Sequence, residues 1–462
     1  MSKEDFRDHV ATVDREGRRI WIYPRKPRGR YYKARTIVSW FLFIFLFSAP
    51  FVKVNGHPLL LFNILERKFI FFGVGFWPQD FHLFALALIA FIVFVSLFTV
   101  VFGRVFCGWV CPQTVFLEML FRKIEYLIEG DSNHQRRLAK QAWNREKAVK
   151  KIAKHAIFYG LSFVIGNVFL SYIIGVDELY KIVVSPPTRH LSGFVAMLFF
   201  SFLFYGVFAW FREQACVMVC PYGRLQSVLL DKNSIVVKYD INRGEPRGFS
   251  KKMSDKNYGD CVDCGLCVEV CPTGIDIRNG TQMECVNCTA CMDACDSVMD
   301  KQGRARRLIR YDSCNGVSDG GMIWYSPRLI GYSIFLLVLL GTLMTLFSLR
   351  KPVETTILRT PGQLFQFVDK AVVQNIYNVQ FVNKSFKNYR VRLRLSDMFL
   401  GEISPVTGRL IDVMADSVTE SVFLIRIPLD HITNQSFPIQ IEILADHEIL
   451  ETLTTTFMAP PH

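Results

Sequence analysis

Five apolar stretches, each about 20 residues long and none with a charge at its centre, constrain this chain more than any other feature. They run Thr36–Val54, Phe81–Val101, Ala156–Val176, Leu191–Phe211 and Leu329–Leu349. A helix of that length matches the hydrocarbon thickness of a bilayer and pairs its backbone polar groups within itself. A sixth run, Leu59–Phe76, is interrupted by Glu66, Arg67 and Lys68 and followed by Pro78, which reads as an interfacial segment. The expectation is therefore five spans.

Basic residues between the spans set an orientation. Met1–Arg35 carries eleven Lys or Arg, Asn55–Asp80 two, Cys107–His155 ten, Asp177–His190 two and Arg212–Arg328 sixteen. Rich and poor segments alternate, which predicts that the rich ones face the cytoplasm and that the tail after Leu349 lies outside. A crossing at Leu59–Phe76 would break the alternation. Met1–Arg35 is polar and lacks a small-residue cleavage site after a short apolar run, so it reads as a soluble cytoplasmic leader and not as a signal peptide. Gln113–Lys154 reads as an amphipathic, basic helix on the inner membrane surface. The net charge of +13 raises nucleic acid as a partner, but the basic residues gather beside apolar segments without stacking aromatics. The reading is no nucleic acid, and lipid instead.

Thirteen cysteines are high, and eight of them fall within Cys261–Cys295. Cys261, Cys264 and Cys267 stand three apart, and Cys271 follows with Pro272 behind it. Cys285, Cys288, Cys291 and Cys295 repeat the spacing. Three cysteines in quick succession wrap one face of an iron–sulfur cube, while the fourth turns to a second cube. Crossed ligation predicts one [4Fe–4S] cluster on Cys261, Cys264, Cys267 and Cys295, and another on Cys285, Cys288, Cys291 and Cys271. Zinc prefers C-x2-C pairs with longer spacers, and disulfides conflict with a cytoplasmic location. Asp296 follows Cys295 where Pro is usual, which does not remove a ligand.

A second motif occurs twice. Cys107-Gly-Trp-Val-Cys111-Pro112 and Cys216-Val-Met-Val-Cys220-Pro221 each close an apolar run. Cysteines four apart share a helical face, and a Pro follows where a helix restarts. Both units end spans running in one direction, so Cys107, Cys111, Cys216 and Cys220 are expected to bring four thiols to the inner membrane boundary. Soft thiolates select Cu(I), zinc or iron–sulfur. Spacing alone leaves open whether the four hold a metal, pass electrons or form a transient disulfide. Cys314, in a polar loop, has no partner at a useful spacing.

In the tail, Tyr389–Leu395, Ser421–Leu429 and Pro438–Leu444 alternate apolar and polar residues between turns. That is the pattern of half-buried strands, and the length suits a β-sandwich. The chain divides into a leader (1–35), a four-span region (36–211), a cytoplasmic segment (212–328) with a two-cluster α+β ferredoxin domain near 255–300, a fifth span (329–349) and an all-β domain (350–462).

The basic leader, paired C-x3-C-P units, eight-cysteine insert, last span and β-rich tail, in that order, resemble the cytochrome c oxidase accessory family called CcoG, FixG or RdxA. The resemblance covers nearly the whole chain. It implies a bacterial inner-membrane oxidoreductase acting on metal ions. Such a protein reduces Cu(II) to Cu(I), with copper at Cys107, Cys111, Cys216 and Cys220, to assist assembly of cbb-type oxidase. Its partners would be a copper chaperone or oxidase assembly factors, and its tail an immunoglobulin-like periplasmic domain. The electron donor is left open among quinol, flavoprotein and ferredoxin. The C-x3-C-P units are also similar to those of quinol-dehydrogenase membrane subunits of nitrate-reductase systems, so a quinol-oxidising module is an alternative. A scaffold with secondary redox centres is another, since a β-sandwich presents edges that bind partners.

Overall fold

The computed structural model describes residues 11–14, 16–54, 56–64, 68–77, 80–248, 258–319, 327–362, 364–369, 371–396, 401–406, 410–432, 434–445 and 448–460. The first ten leader residues, Glu66, Arg67, Pro78 and the start of the ferredoxin segment at 255–257 lie outside that set. The chain forms two compact units, Met1–Phe51 with Ala85–Gly341, and Val52–Phe84 with Thr342–His462.

Four helices are long and apolar enough to cross a membrane: Phe81–Phe102, Arg145–Ile174, Leu191–Phe211 and Pro327–Ser348. The stretch expected as the first span is a helix at Arg30–Ser48, shifted toward the N-terminus. Its opening turns take in Arg30, Lys33 and Arg35, and it is not among the four. The shift has a cause. Asp293 accepts backbone hydrogen bonds from Tyr31 (3.1 Å) and Tyr32 (2.7 Å), so a carboxylate sits on the helix's free N–H groups and starts it there. Gly29 precedes it, because a Cβ at that position would overlap the Asp293 side chain.

In the first unit, the Arg145–Ile174 helix packs along Leu191–Phe211, with Gly166 giving close approach to the Phe200–Ser201 backbone. Phe121 stacks on Phe208 at 4.5 Å and meets Phe158 edge-on at 4.8 Å. Gln113–Lys154 is not one surface helix. It breaks into Pro112–Phe116, a π turn at Leu117–Phe121, Arg122–Ile128, Ser132–Lys140 and the start of the Arg145–Ile174 helix. Several of its charges turn inward. Glu118, Arg122, Glu125 and Glu129 recur at helical spacing and meet Arg212, Lys151 and Lys154 in a buried ion cluster. Arg212 forks onto both Glu125 oxygens at 2.7 Å while its backbone takes φ 52°, a conformation few non-glycine residues adopt.

In the second unit, strands Glu402–Pro405, Val418–Pro428, Val372–Asn383 and Val353–Arg359 form one antiparallel sheet, with Gln366–Asp369 also on Val372–Asn383. Ile411–Val413, Tyr389–Leu395, Ser436–Ala445 and Glu448–Met458 form the other. The alternation works as expected: Val391, Leu393 and Leu395 enter the core while Arg390, Arg392 and Arg394 face out. Leu59–Phe76, expected as an interfacial segment, contributes a three-stranded antiparallel sheet at Leu60–Asn63, Lys68–Phe71 and Val74–Phe76. It joins the tail through Asp80, 2% exposed, which pairs with Arg350 at 2.7 Å and Lys384 at 2.5 Å.

Burial alone would raise the Glu125 carboxyl, but Arg212, Lys154 and Arg122 outweigh it and hold the group at about 2. A depressed carboxylate stabilises the fold above its unfolded value of about 4.3, and that contribution disappears as pH falls through about 2. Replacing Glu125 with Gln takes away the forked partner of buried Arg212 and leaves it the 3.7 Å approach to Glu213, so it should destabilise the first unit by about 3 kcal/mol. Thermal unfolding in detergent checks this, with a lower midpoint expected for the helical unit and none for the β-sandwich.

Candidate iron–sulfur and thiol centre

Two voids lie inside the 258–319 region. One, with about 340 Å³ of empty space open to solvent, is lined by Cys267, Cys271, Cys285, Cys288 and Cys291, with Val237, Ile275 and Ile277 around them. The other, about 370 Å³ on the same measure, is lined by Cys261, Cys264, Cys267 and Cys295 with Tyr239, Leu308 and Ile309. The crossed spacing pattern groups the cysteines alike except at Cys267, which lines both voids. The Pro after Cys271 and the helix Ala290–Lys301, which carries Cys291 and Cys295 on successive turns, send the chain from one void to the other.

All thirteen cysteines are free of disulfides. Among the described residues, no three of His, Cys, Asp or Glu close around a single ion. The eight thiols instead ring spaces larger than one ion, in apolar walls. Burial pushes Cys285 up to about 11 and Cys288 up to about 12. Cys267 and Cys295 also reach about 12, chiefly from burial. Thiols gathered in dry voids at mutual electrostatic cost fit a soft cationic cluster, which needs them as thiolates.

The C-x3-C-P units differ locally from the expected single helical face. Cys107 lies in the short helix Val105–Trp109, but Cys111 is the N-cap of the next helix, Pro112–Phe116. Cys216 lies in the π turn Ala215–Val219, and Cys220 is the N-cap of Pro221–Leu229. The prolines explain the break, since the residue before each is driven to extended backbone, ψ 123° at Cys111 and 112° at Cys220. The two units nevertheless meet. Burial raises Cys107, Cys111 and Cys216, the last to about 12, and each is raised further by a neighbouring thiol. Cys220 adds to the rise at Cys111, and Cys111, Cys107 and Cys220 add to that at Cys216.

Spacing did not reveal what ties the units together. Gln226 accepts from Cys107 Sγ at 3.4 Å and from Arg104 Nε at 2.7 Å, bridging the second unit to the first. Thr114 Oγ1 lies 4.0 Å from Cys216 Sγ. Tyr222 and Gln226 follow Pro221 on one helix, so the helix after each C-P was the place to look.

The thiol centre and one cluster loop share a core. Cys107 packs with Val270, Val286, Cys288 and Ala290. Gly108 allows that approach, because a Cβ there would stand 2.4 Å from the Val286 carbonyl oxygen and 2.9 Å from the Asn287 backbone. Arg35 donates to the Gly108 carbonyl at 2.6 Å, and Trp109 donates to Tyr311, which donates to the Asn287 carbonyl. Cys314 is exposed on a separate short helix, Cys314–Asp319.

With this geometry in place, three family models match. Residues 211–314 match a 4Fe-4S dicluster domain, 82–129 a 4Fe-4S binding domain, and 343–460 the IG-like fold at the C-terminal of FixG. The chain is 34% identical to Protein RdxA of Cereibacter sphaeroides over 393 residues, covering 80% of this chain and 81% of that protein. It is 33% identical to Protein RdxB of the same organism, covering 79% of each. It is 37% identical to Nitrogen fixation protein FixG of Rhizobium meliloti over 302 residues, 63% of this chain and 56% of that one.

Exchanging Gly108 for Ala must push the Val286–Asn287 loop away, and the obstacle is backbone, which cannot rotate aside. Electron paramagnetic resonance of the reduced protein should then show one altered cluster signal, from the Cys285–Cys291 loop, and one unchanged. Two unchanged signals would contradict the contact.

Proposed function

We propose that this chain, which belongs to the FixG and RdxA family of membrane iron–sulfur proteins, passes electrons one at a time from its clusters to Cu(II) at the four C-x3-C-P thiols, releasing Cu(I) for cbb-type oxidase assembly. The observation that carries the reading is the shared core of Cys107 and Cys288, which joins a cluster loop to a soft-metal thiol set. Two [4Fe–4S] clusters, on the crossed sets of four cysteines, supply single electrons when bound, matching the one-electron change from Cu(II) to Cu(I). The protein's own residues do the rest. Gly108 and Arg35 hold the thiol helix against the cluster loop, and Gln226 orients the Cys107 thiol. Burial keeps Cys107, Cys111 and Cys216 protonated at neutral pH, so capture of Cu(I) as a thiolate complex expels thiol protons.

Five membrane crossings fit this role. In the first unit the leader touches the cluster region, Arg25 N donating to the Glu269 carbonyl at 2.8 Å. In the second, Asp80 pairs with Lys384 of the tail. Taken as crossings, the four long helices would leave the cluster segment on one face and the tail on the other, and the Arg30–Ser48 helix, 19 residues at 1.5 Å each, is long enough to make a fifth at roughly 28 Å. Basic residues on the leader and cluster segments favour the cytoplasm for that face and the periplasm for the tail.

A second reading comes from the 4Fe-4S description of residues 82–129, which contain Cys107 and Cys111. On it the four thiols hold iron and sulfide. Variants separate the two. Cys264→Ser should lose about half the iron, since one of two cubes loses a ligand. Cys107→Ser and Cys216→Ser should keep both cluster signals and lose Cu(II) reduction, followed by anaerobic metal analysis and a Cu(I) chelator. Loss of iron in Cys107→Ser would favour the second reading. Unchanged copper reduction in both would refute the first.

A further inference from the structure

A third hollow in the cluster-bearing unit belongs to neither cluster. Its empty space, open to solvent, is about 1180 Å³, against 340 and 370 Å³ for the cysteine-lined voids on the same measure. The leader, the loop before the Ser132–Lys140 helix and two cluster-bearing helices enclose it. Its rim carries Arg25, Lys26, Arg28 and Lys301. Its floor is Leu266, Val270 and Ala294, which immediately precede Cys267, Cys271 and Cys295. One concave surface therefore backs directly onto ligand positions of both cluster sets.

The charge on the rim is unbalanced. Asp131 is the one acid among the lining residues, and its carboxylate accepts from the backbone N–H groups of Lys26 and Ser132. Arg25 approaches Glu269 at 3.7 Å, both of them about half exposed. Among the described residues, the side chains of Lys26, Arg28 and Lys301 enter no ion pair, although carboxylates are plentiful elsewhere in this unit. Four cations around an open hollow raise the local concentration of anionic partners and speed their encounter. A neutral quinol gains nothing from such a rim. The pairing of Arg25 N with Glu269 fixes the leader across the cluster helices, so the cations are held in position.

We propose that this hollow is the electron-entry port, docking a soluble one-electron carrier protein with acidic residues around its redox centre, of the ferredoxin or flavodoxin class. The inference rests on the electron-transfer reading and names its donor side. The step transfers one electron from the carrier's reduced centre to an oxidised cluster, with no bond made or broken and no proton required. The Leu266, Val270 and Ala294 floor gives the carrier's apolar tip a dry contact, and the rim orients its acids.

The test is anaerobic stopped-flow reduction of the intact, cluster-loaded protein, read from cluster absorbance with no copper present. Its result is thus independent of the cupric reductase claim. The donors are a reduced acidic [2Fe–2S] ferredoxin and, as control, the small cation methyl viologen radical. The parent should be reduced by the ferredoxin at a rate that falls with added salt. Arg28→Glu with Lys301→Glu should slow the ferredoxin about tenfold or more at low salt and flatten the salt dependence, with methyl viologen no slower than in the parent. Ferredoxin rates equal to the parent's would overturn the proposal. Equal rates together with less co-purified anionic phospholipid would overturn it in favour of a lipid headgroup site. A variant slow with both reductants has damaged clusters, and the single variant Arg28→Gln then decides: a slower ferredoxin with unchanged methyl viologen supports the port, and an unchanged ferredoxin rate overturns it.

Discussion

The chemistry of this protein depends on one contact, the packing of Cys107 and Gly108 against the Val286–Cys288 loop. A cluster buried in protein is useful only if its electron can leave. Here a glycine supplies the room, Arg35 fixes the carbonyl next to it, and Tyr311 bridges Trp109 to the same loop. The buried ion cluster around Glu125 and Arg212 holds the neighbouring helices in the arrangement that brings Cys216 beside Cys111. Arg212 lies directly between its span and the second cysteine unit, so its forked pairing with Glu125 ties membrane helix to thiol site.

What the sequence made legible was whatever obeys a short local rule. Cysteine spacing groups the residues much as the two voids do, with Cys267 lining both. Period-two alternation located Tyr389–Leu395 without error. Four long helices appear close to where hydropathy placed them. Long-range partners were not legible. Asp293 starts the Arg30–Ser48 helix from more than 250 positions away, about which local hydropathy says nothing. Leu59–Phe76 looked interfacial because its charges interrupt an apolar run, yet Leu60–Asn63, Lys68–Phe71 and Val74–Phe76 form strands within the unit that holds the tail. Basic residues counted as loop charges include Arg122 and Arg212, which point inward to carboxylates. A count of charges cannot distinguish a solvated lysine from a paired one.

The two C-x3-C-P units illustrate the limit most sharply. Their repetition predicted that four thiols would meet, and the second unit does reach the first, Gln226 accepting from Cys107 Sγ at 3.4 Å. Continuous helical geometry did not follow, because each proline turns the preceding cysteine into a cap. This places Cys111 and Cys220 at paired helix starts and Cys107 and Cys216 one turn before them.

The most direct test of electron flow to copper is an anaerobic titration of the fully reduced protein with Cu(II), following cluster absorbance and Cu(I) in the same cuvette. The account predicts reoxidation of both clusters with about two Cu(I) formed per chain, one for each [4Fe–4S] centre. Clusters that stay reduced in the presence of excess Cu(II) would contradict it.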